Sequence, residues 1–91
     1  MKIRFYIDPD TVLPHIYKHG VDEYEVEEAL QNQREDRQGA KGTRVIIGQT
    51  FAGRHLRIIY RRKSDSILVI TAYELKGKVL TAYKRRKRRR M

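Results

Sequence analysis

Three histidines are the side chains that exchange a proton near neutral pH, so they are the first candidates for acid–base chemistry. His19 is the strongest candidate, because it directly precedes Gly20 at the expected end of a helix. A structural interpretation stays open for His19, since a histidine in the last turn complements the helix dipole. His15 lies four residues earlier, on the same helical face. His55 follows a turn and is expected to be exposed.

No metal site is predicted. The spacing of His15 and His19 can supply two ligands, but no third ligand is evident. Asp65 and Glu74 are the only acidic residues beyond position 40, which makes two-metal chemistry a poor fit. The chain has no cysteine, so thiolate ligands and disulfides are excluded. We therefore expect neither a metal nor another cofactor.

Arg44, Arg57 and Arg61 are the candidates for holding a phosphate, because a guanidinium stays charged and offers planar, bidentate contacts. On a strand, Arg57 and Arg61 share one face, since their separation is even. We expect Arg44 on the same face and Arg54 at the adjoining hairpin. The alternative is an ordinary exposed polar face of a sheet.

Tyr73 ends the last predicted strand, where a side chain can face a cleft. Its phenol can orient a nucleotide or stack on a base. The alternative is a tyrosine at the edge of the core with its hydroxyl in water. Thr-Ala-Tyr occurs a second time at 81–83. We interpret that repeat as a coincidence, with Tyr83 packing a helix.

Charge is distributed very unevenly along this chain of net charge +10. Residues 1–40 hold five basic and nine acidic side chains, whereas residues 41–91 hold sixteen basic and two acidic ones. Such a field attracts nucleic-acid phosphates. The block KRRKRRR at 84–90 is expected to be disordered, to bind RNA electrostatically and to be removable without loss of the fold. The alternative is a helix terminus whose cations favour the helix dipole. The predicted RNA-binding residues are Arg54, Arg61, Lys76, Lys84, Arg85 and Arg86.

The N-terminal half is predicted to contain one strand and two helices. Residues 2–7 alternate apolar and polar side chains, which is typical of a half-buried strand. One helix is expected from residue 10 or 11 to His19, and Gly20 ends it. A second helix is expected over 22–30, opened by a capping box of Asp22 and Glu25.

Three strands are predicted in the C-terminal half. A polar loop is expected over 31–42, followed by strands at 43–50, 54–62 and 66–73. The connections between these strands are short, which indicates antiparallel hairpins. A helical stripe then follows, formed by Leu75, Val79, Leu80 and Tyr83.

The predicted fold is α+β, with two N-terminal helices packed on a small antiparallel sheet in the order β-α-α-β-β-β. A chain of this length makes one domain, expected over residues 1–83, with a basic tail at 84–91. No apolar run is long enough to cross a membrane, and no signal-peptide core begins the chain. We therefore expect a cytoplasmic protein without membrane contact.

Three motifs follow one another along the chain: KHGV at 18–21, TRVIIGQTFAGRHLRIIYRR at 43–62 and ILVITAY at 67–73. Their order resembles that in the BrnT-type toxins of the RelE/ParE superfamily, and the resemblance spans roughly residues 5–75. The chain is also similar to a related family of small domains that pair an early histidine with a strand ending Val/Ile-Thr-x-Tyr. In the BrnT-like pattern the last strand ends in arginine, whereas Tyr73 stands here.

The resemblance implies a RelE-like fold, metal-free mRNA cleavage that inhibits translation, and a cognate antitoxin. RNA cleavage without metal needs a base, an acid and cations at the phosphorane. For these roles we expect His19, Arg44, Arg57 and Tyr73, acting on free or ribosome-bound mRNA. One alternative is a non-catalytic RNA- or DNA-binding module on the basic sheet face. Another is a scaffold that docks a partner through an acidic helix bearing Asp22, Glu23, Glu25, Glu27 and Glu28.

Overall fold

A five-stranded mixed β-sheet forms the centre of the fold in the computed structural model, which describes residues 2–89. The strands lie in the order β1-β5-β4-β3-β2. β1 is parallel to β5, and every other neighbouring pair is antiparallel. The strands are β1 (Lys2–Phe5), β2 (Gln33–Gln38), β3 (Arg44–Gln49), β4 (His55–Lys63) and β5 (Ser66–Glu74).

The three predicted C-terminal strands are confirmed as β3, β4 and β5, joined by tight turns into antiparallel hairpins. The prediction of a wholly antiparallel sheet was wrong, because β1 pairs in parallel with β5. A long crossover separates these two strands in sequence, and parallel neighbours require such a connection. β5 therefore lies between β1 and β4 over its first half.

The helix α1 (Glu23–Gln31) begins at the predicted capping box. The Glu25 backbone N–H donates to Asp22 Oδ1 at 2.8 Å, and the Asp22 N–H donates to Glu25 Oε1 at 3.2 Å. α1 packs on β3 at Gly48, where an added Cβ would lie 2.0 Å from the carbonyl oxygen of Ala29. Only glycine allows the helix backbone to come this close to the strand.

The first predicted helix is replaced by a short 3₁₀ helix, His15–His19. Pro14 before it has an extended backbone, with ψ 132°, so a helix starting at residue 10 or 11 cannot run through this position. Upstream, Asp8 Oδ1 accepts from the Asp10 N–H at 2.8 Å, which holds a turn in place of a helix. Gly20 ends the 3₁₀ helix in the left-handed conformation, as predicted. The arrangement of two N-terminal α-helices was therefore wrong.

The polar segment predicted as a loop contains the strand β2. It pairs with β3 at the edge of the sheet, so its side chains are mostly exposed and show no apolar alternation. Glu35 is the exception and is buried. A 3₁₀ turn, Ala40–Gly42, then leads into β3.

The second α-helix lies at the C-terminal end, as α2 (Gly77–Arg89). The predicted apolar stripe is present in part: Tyr83 is buried with Ile47 and Leu75, and Leu80 packs against them. Val79 is exposed, and Leu75 lies before the helix begins. A larger core lies between α1, the 3₁₀ helix and the sheet, so the two apolar clusters are separate. No helix within residues 2–89 is long and apolar enough to cross a membrane.

The predicted tail is not separate from the domain over the described residues. α2 continues through residue 84, where the boundary was expected, and extends to Arg89. Arg86 Nη2 donates to Glu35 Oε1 at 3.1 Å, which ties α2 to the edge strand. The expected disorder of this basic block was therefore wrong up to Arg89, and residues 90 and 91 lie outside the described part of the chain.

Candidate functional site

Four side chains form a continuous row at one edge of the sheet, and we name them the His–Tyr–Arg row. The ring centroids of His15 and His19 are 5.4 Å apart, and those of His19 and Tyr73 are 5.9 Å apart. Tyr73 in turn meets Arg57, whose Nη1 lies 3.3 Å from the phenolic oxygen. Three of the four residues predicted to be catalytic are thus neighbours.

Strand length explains how the row is assembled. β1 ends at Phe5, opposite Val69, so β5 continues beyond its parallel neighbour. The 3₁₀ helix packs against β5, and its last residue, His19, reaches Tyr73. On the other side of β5, the antiparallel register pairs Tyr73 with Arg57. A helix end and two strands therefore position the row.

The guanidinium of Arg57 is held at the sheet face. Its Nη1 donates to Tyr73, whereas its Nε is buried and has no acceptor among the described residues. The Nη atoms of Arg57 are therefore the ones that can form hydrogen bonds with a ligand. A half-buried guanidinium with a fixed orientation is well suited to an anion, because little side-chain freedom remains to be lost on binding.

Arg44 does not join the row, so the expected single face of arginines was wrong. Arg44 is paired with Tyr60 across the β3–β4 ladder, whereas Arg57 is paired with Ile47. Positions 57 and 60 are an odd number of residues apart, so their side chains lie on opposite faces. Arg44 instead binds Asp36, with Nη2 to Oδ1 at 2.7 Å.

Two of the predicted RNA-binding residues are engaged by carboxylates. Arg54 donates to Glu25 and, from Nε at 3.2 Å, to Glu74, so it joins α1 to β5. The hydrogen bond with Glu25 raises the pKa of Arg54, and burial opposes this rise. Arg86 is bound to Glu35 as described above. The other predicted residues are exposed, namely Arg61, Lys76, Lys84 and Arg85.

His55 lies apart from the row, and the expectation that it is exposed was wrong. It is half-buried beside α2, with its ring centroid 5.5 Å from that of Tyr83. Burial lowers the pKa of His55, and the positive charges of Lys84, Lys87 and Arg34 lower it further. These effects favour the neutral form of His55, which packs against Tyr83 of α2.

Asp8 is a site residue that the sequence did not indicate. Its side chain is buried, and Oδ2 lies 3.0 Å from His15 Nδ1 and 2.8 Å from Lys18 Nζ. Hydrogen bonds from Lys18, and then from His15, hold the pKa of Asp8 well below its usual range. Asp8 is separated from His15 by six residues, and no local pattern marks that contact.

The row can transfer protons and stabilise a negative charge. It offers two imidazoles, a phenol and a guanidinium, of which His19 is exposed. Within residues 2–89, no group of three His, Cys, Asp or Glu side chains is close enough to hold a metal ion. A separate cavity of about 400 Å³ lies elsewhere, lined by Tyr60, Arg62 and Ile67 among others.

Comparison with known proteins gives one match. The model of a family described as a domain of unknown function, DUF4258, matches residues 15–74, which is more than half of the chain. The whole His–Tyr–Arg row falls within this segment, whereas Asp8 and α2 lie outside it. No curated protein and no solved structure matches the chain. The chain belongs to the DUF4258 family.

Proposed function

We propose that this protein is a metal-independent endoribonuclease whose active site is the His–Tyr–Arg row. The observation that carries the proposal is the sequence of contacts from His19 to Tyr73 to Arg57, with a ring distance of 5.9 Å and a hydrogen bond of 3.3 Å. A titratable imidazole next to an oriented cation is what transesterification of RNA requires. Arg44 has no role in this proposal, because it lies on the other sheet face.

His19 acts as the base that takes the proton from the ribose 2′-hydroxyl. Its side chain is exposed at the end of the 3₁₀ helix, so a substrate can reach it. Histidine suits this role because its proton exchange occurs near neutral pH. Gly20 follows directly and ends the 3₁₀ helix in the left-handed conformation.

Arg57 stabilises the negative charge that develops on the phosphorane. Tyr73 orients the guanidinium through its hydroxyl, and its ring contacts His19. The phenol therefore connects the proton-transfer residue with the cation. Fixed charges of this kind act on the transition state without costly reorganisation.

The charge of the chain supports RNA as the substrate. The net charge is +10, and the exposed cations of α2 include Lys84 and Arg85. Arg61 lies on the same sheet face as Arg57, four residues along β4. These groups can follow a phosphate backbone beyond the cleaved bond and add a strongly salt-dependent term to affinity.

In the cell, we propose that the protein acts as a toxin that inhibits translation. Its support is the resemblance of the motifs at 18–21, 43–62 and 67–73 to BrnT-type toxins, together with an α+β core built on hairpins. On this proposal the fold is RelE-like and the protein acts in the cytoplasm. Its targets are mRNA, free or on the ribosome, and a cognate antitoxin restrains it.

The test is an incubation of the purified protein with end-labelled mRNA in EDTA, with and without translating ribosomes. The proposal expects fragments ending in 2′,3′-cyclic phosphate, greatly reduced for His19→Ala and Tyr73→Phe. Tyr24→Phe is the matched control, because Tyr24 is 76% exposed on α1. Cleavage by His19→Ala at the wild-type rate would contradict the proposed active site.

A second candidate function is a non-catalytic RNA-binding module. The observation that favours it is α2, whose second half presents Lys84, Arg85 and Lys87 as exposed cations outside the matched family segment. Such a helix binds phosphates without cutting them. Salt-sensitive binding without cleavage in either incubation would favour this function.

A further inference from the structure

Cleavage of RNA requires an acid for the departing 5′-oxygen as well as a base for the 2′-hydroxyl. We propose that His15 is this acid and that Asp8 is the positioning residue that orients it. The inference rests on the proposed ribonuclease function: it gives His15, already a member of the row, a role, and it adds Asp8 to the site. Neither residue was among the four that the sequence analysis predicted to be catalytic, and Asp8 lies outside the matched family segment.

The contact between Asp8 and His15 fixes which ring nitrogen can meet a substrate. The Asp8 side chain is 6% exposed, and its carboxylate accepts from His15 Nδ1 at 3.0 Å. A carboxylate at Nδ1 requires a proton on that atom, which leaves Nε2 as the atom that exchanges a proton with substrate. The His15 side chain is 30% exposed, and no described residue bonds its Nε2.

His15 is close enough to His19 for both to act on one phosphodiester. The two rings lie 5.4 Å apart in an edge-to-face arrangement, at the start and the end of the same 3₁₀ helix. The groups that face His15 are Asp8, His19 and the ring of Tyr6, while Lys18 shares the Asp8 carboxylate. Asp8 is the one negative charge among them.

This asymmetry assigns the two roles. The Asp8 carboxylate holds Nδ1 of His15 and leaves Nε2 toward the substrate, so His15 is assigned as the acid. His19 has no carboxylate partner among the described residues, and it adjoins Tyr73, which bears the Arg57 contact. His19 is therefore assigned as the base.

The two histidines act in one transesterification step. His19 takes the 2′-hydroxyl proton while the 2′-oxygen forms a bond to phosphorus, and the bond from phosphorus to the 5′-oxygen breaks. The Nε2 proton of His15 passes to that leaving oxygen. The products are a 2′,3′-cyclic phosphate and a 5′-hydroxyl, and exchange with water restores both imidazoles.

The test compares normal RNA with RNA in which sulfur replaces the 5′-bridging oxygen at one linkage, because a departing thiolate needs no acid. His15→Ala is expected to lower cleavage of normal RNA by about 10²–10⁴-fold, the usual contribution of a general acid. On the sulfur substrate it is expected to cleave within about tenfold of the wild-type rate. His19→Ala is expected to lose activity on both substrates.

Asp8→Asn tests the positioning role and Lys18→Ala is its matched control, since Lys18 contacts the same carboxylate oxygen as His15. On normal RNA, Asp8→Asn is expected to lose less of the cleavage rate than His15→Ala does. On the sulfur substrate, the cleavage rate of Asp8→Asn is also expected to return toward that of the wild type. Lys18→Ala is expected to affect both substrates equally. Nitrogen-15 NMR of the histidines measures independently whether the His15 proton sits on Nδ1 and whether Asp8→Asn shifts it.

Equal losses for His15→Ala on both substrates, or no loss, would overturn the role of His15. A wild-type His15 that carries its proton on Nε2 and none on Nδ1 would also overturn the proposed orientation. These results differ from failure of the proposed function, in which the wild-type protein would cleave neither substrate. Thermal unfolding of each variant separates loss of chemistry from loss of the fold.

Discussion

The hydroxyl of Tyr73 accepts a hydrogen bond from Nη1 of Arg57 at 3.3 Å, and this contact links β5 to β4 at the proposed active site. The two residues are direct partners in the antiparallel ladder. Their side chains therefore share a face, and the sheet itself sets the position of the guanidinium relative to the tyrosine ring and His19.

Removal of the Tyr73 hydroxyl should lower the rate of RNA cleavage without unfolding the protein. A hydrogen bond to a charged group contributes about 1.5–3 kcal/mol, so Tyr73→Phe is expected to reduce kcat about 10- to 100-fold. The ring and its contact with His19 remain. Single-turnover kinetics measure the effect, and a rate equal to that of Tyr24→Phe would contradict the orienting role.

Replacement of Arg57 should be more damaging than replacement of Arg62. The structure places Arg57 in the row, whereas Arg62 lies beside the separate cavity with Tyr60 and Ile67. Loss of one charge-stabilising donor costs about 10²–10³-fold in kcat, and Arg62→Ala is expected to change kcat little. Equal losses in the two variants would show that general electrostatic attraction, and not the row, determines the rate.

Gly48→Ala should destabilise the fold by about 3 kcal/mol or more, because a rigid backbone must move. The added Cβ would lie 2.0 Å from the carbonyl oxygen of Ala29. The control is Gly42→Ala, where nothing lies within 4 Å but φ is +77°. That change is expected to cost about 1 kcal/mol for the left-handed conformation. Urea unfolding compares the two, and equal losses would show that α1 can move away from β3.

Arg86→Ala should loosen the docking of α2. Burial alone would raise the pKa of Glu35, but hydrogen bonds from Arg86 and Arg37 lower it overall. Removal of one cation from this partly exposed pair is expected to cost about 1–2 kcal/mol of unfolding free energy. The control Arg85→Ala removes an exposed cation and is expected to stay within about 0.5 kcal/mol of wild type.

Because Arg86 binds Glu35, removal of the basic block at 84–90 is now expected to destabilise the fold. Deletion of residues 84–91 removes Arg86 and the second half of α2, so the melting temperature is expected to fall by several degrees. An unchanged melting temperature on deletion, together with an unchanged Arg86→Ala variant, would show that the contact between α2 and Glu35 contributes nothing to stability.

His55 should make the protein less stable on mild acidification. Its pKa is below the ordinary 6.5 in the folded chain, first because it is buried and then because Lys84 and Lys87 are near. The unfolded chain therefore binds more protons as the pH falls from about 6.5 toward the folded pKa, and the free energy of unfolding decreases over this interval. The slope, measured by urea unfolding, is expected to be shallower in His55→Gln, and an identical slope would contradict this account.

The C-terminal strands and α1 could be predicted because their signals are local. Alternating apolar residues and short turns mark β4 and β5, and the reciprocal bonds of Asp22 and Glu25 mark the start of α1. His19 and Tyr73 were identified for a related reason. Each stands where an element ends, and element ends project toward neighbouring elements.

The rest depends on contacts between residues distant in sequence. β2 is a polar edge strand, so its pattern is that of a loop until β3 is beside it. The face of Arg44 depends on the β3–β4 register, which alternation within one strand does not reveal. Asp8 binds His15 and Lys18, and this contact depends on how the chain folds between them.

Analysis of the RNA ends produced in EDTA by wild-type protein and His19→Ala tests the central claim most directly. The account predicts that the wild type produces 2′,3′-cyclic phosphate ends without metal. It also predicts that His19→Ala, folded to the same melting temperature, produces them at least about 100-fold more slowly. Bound but uncut RNA with wild-type protein, or equal rates for the two proteins, would contradict it.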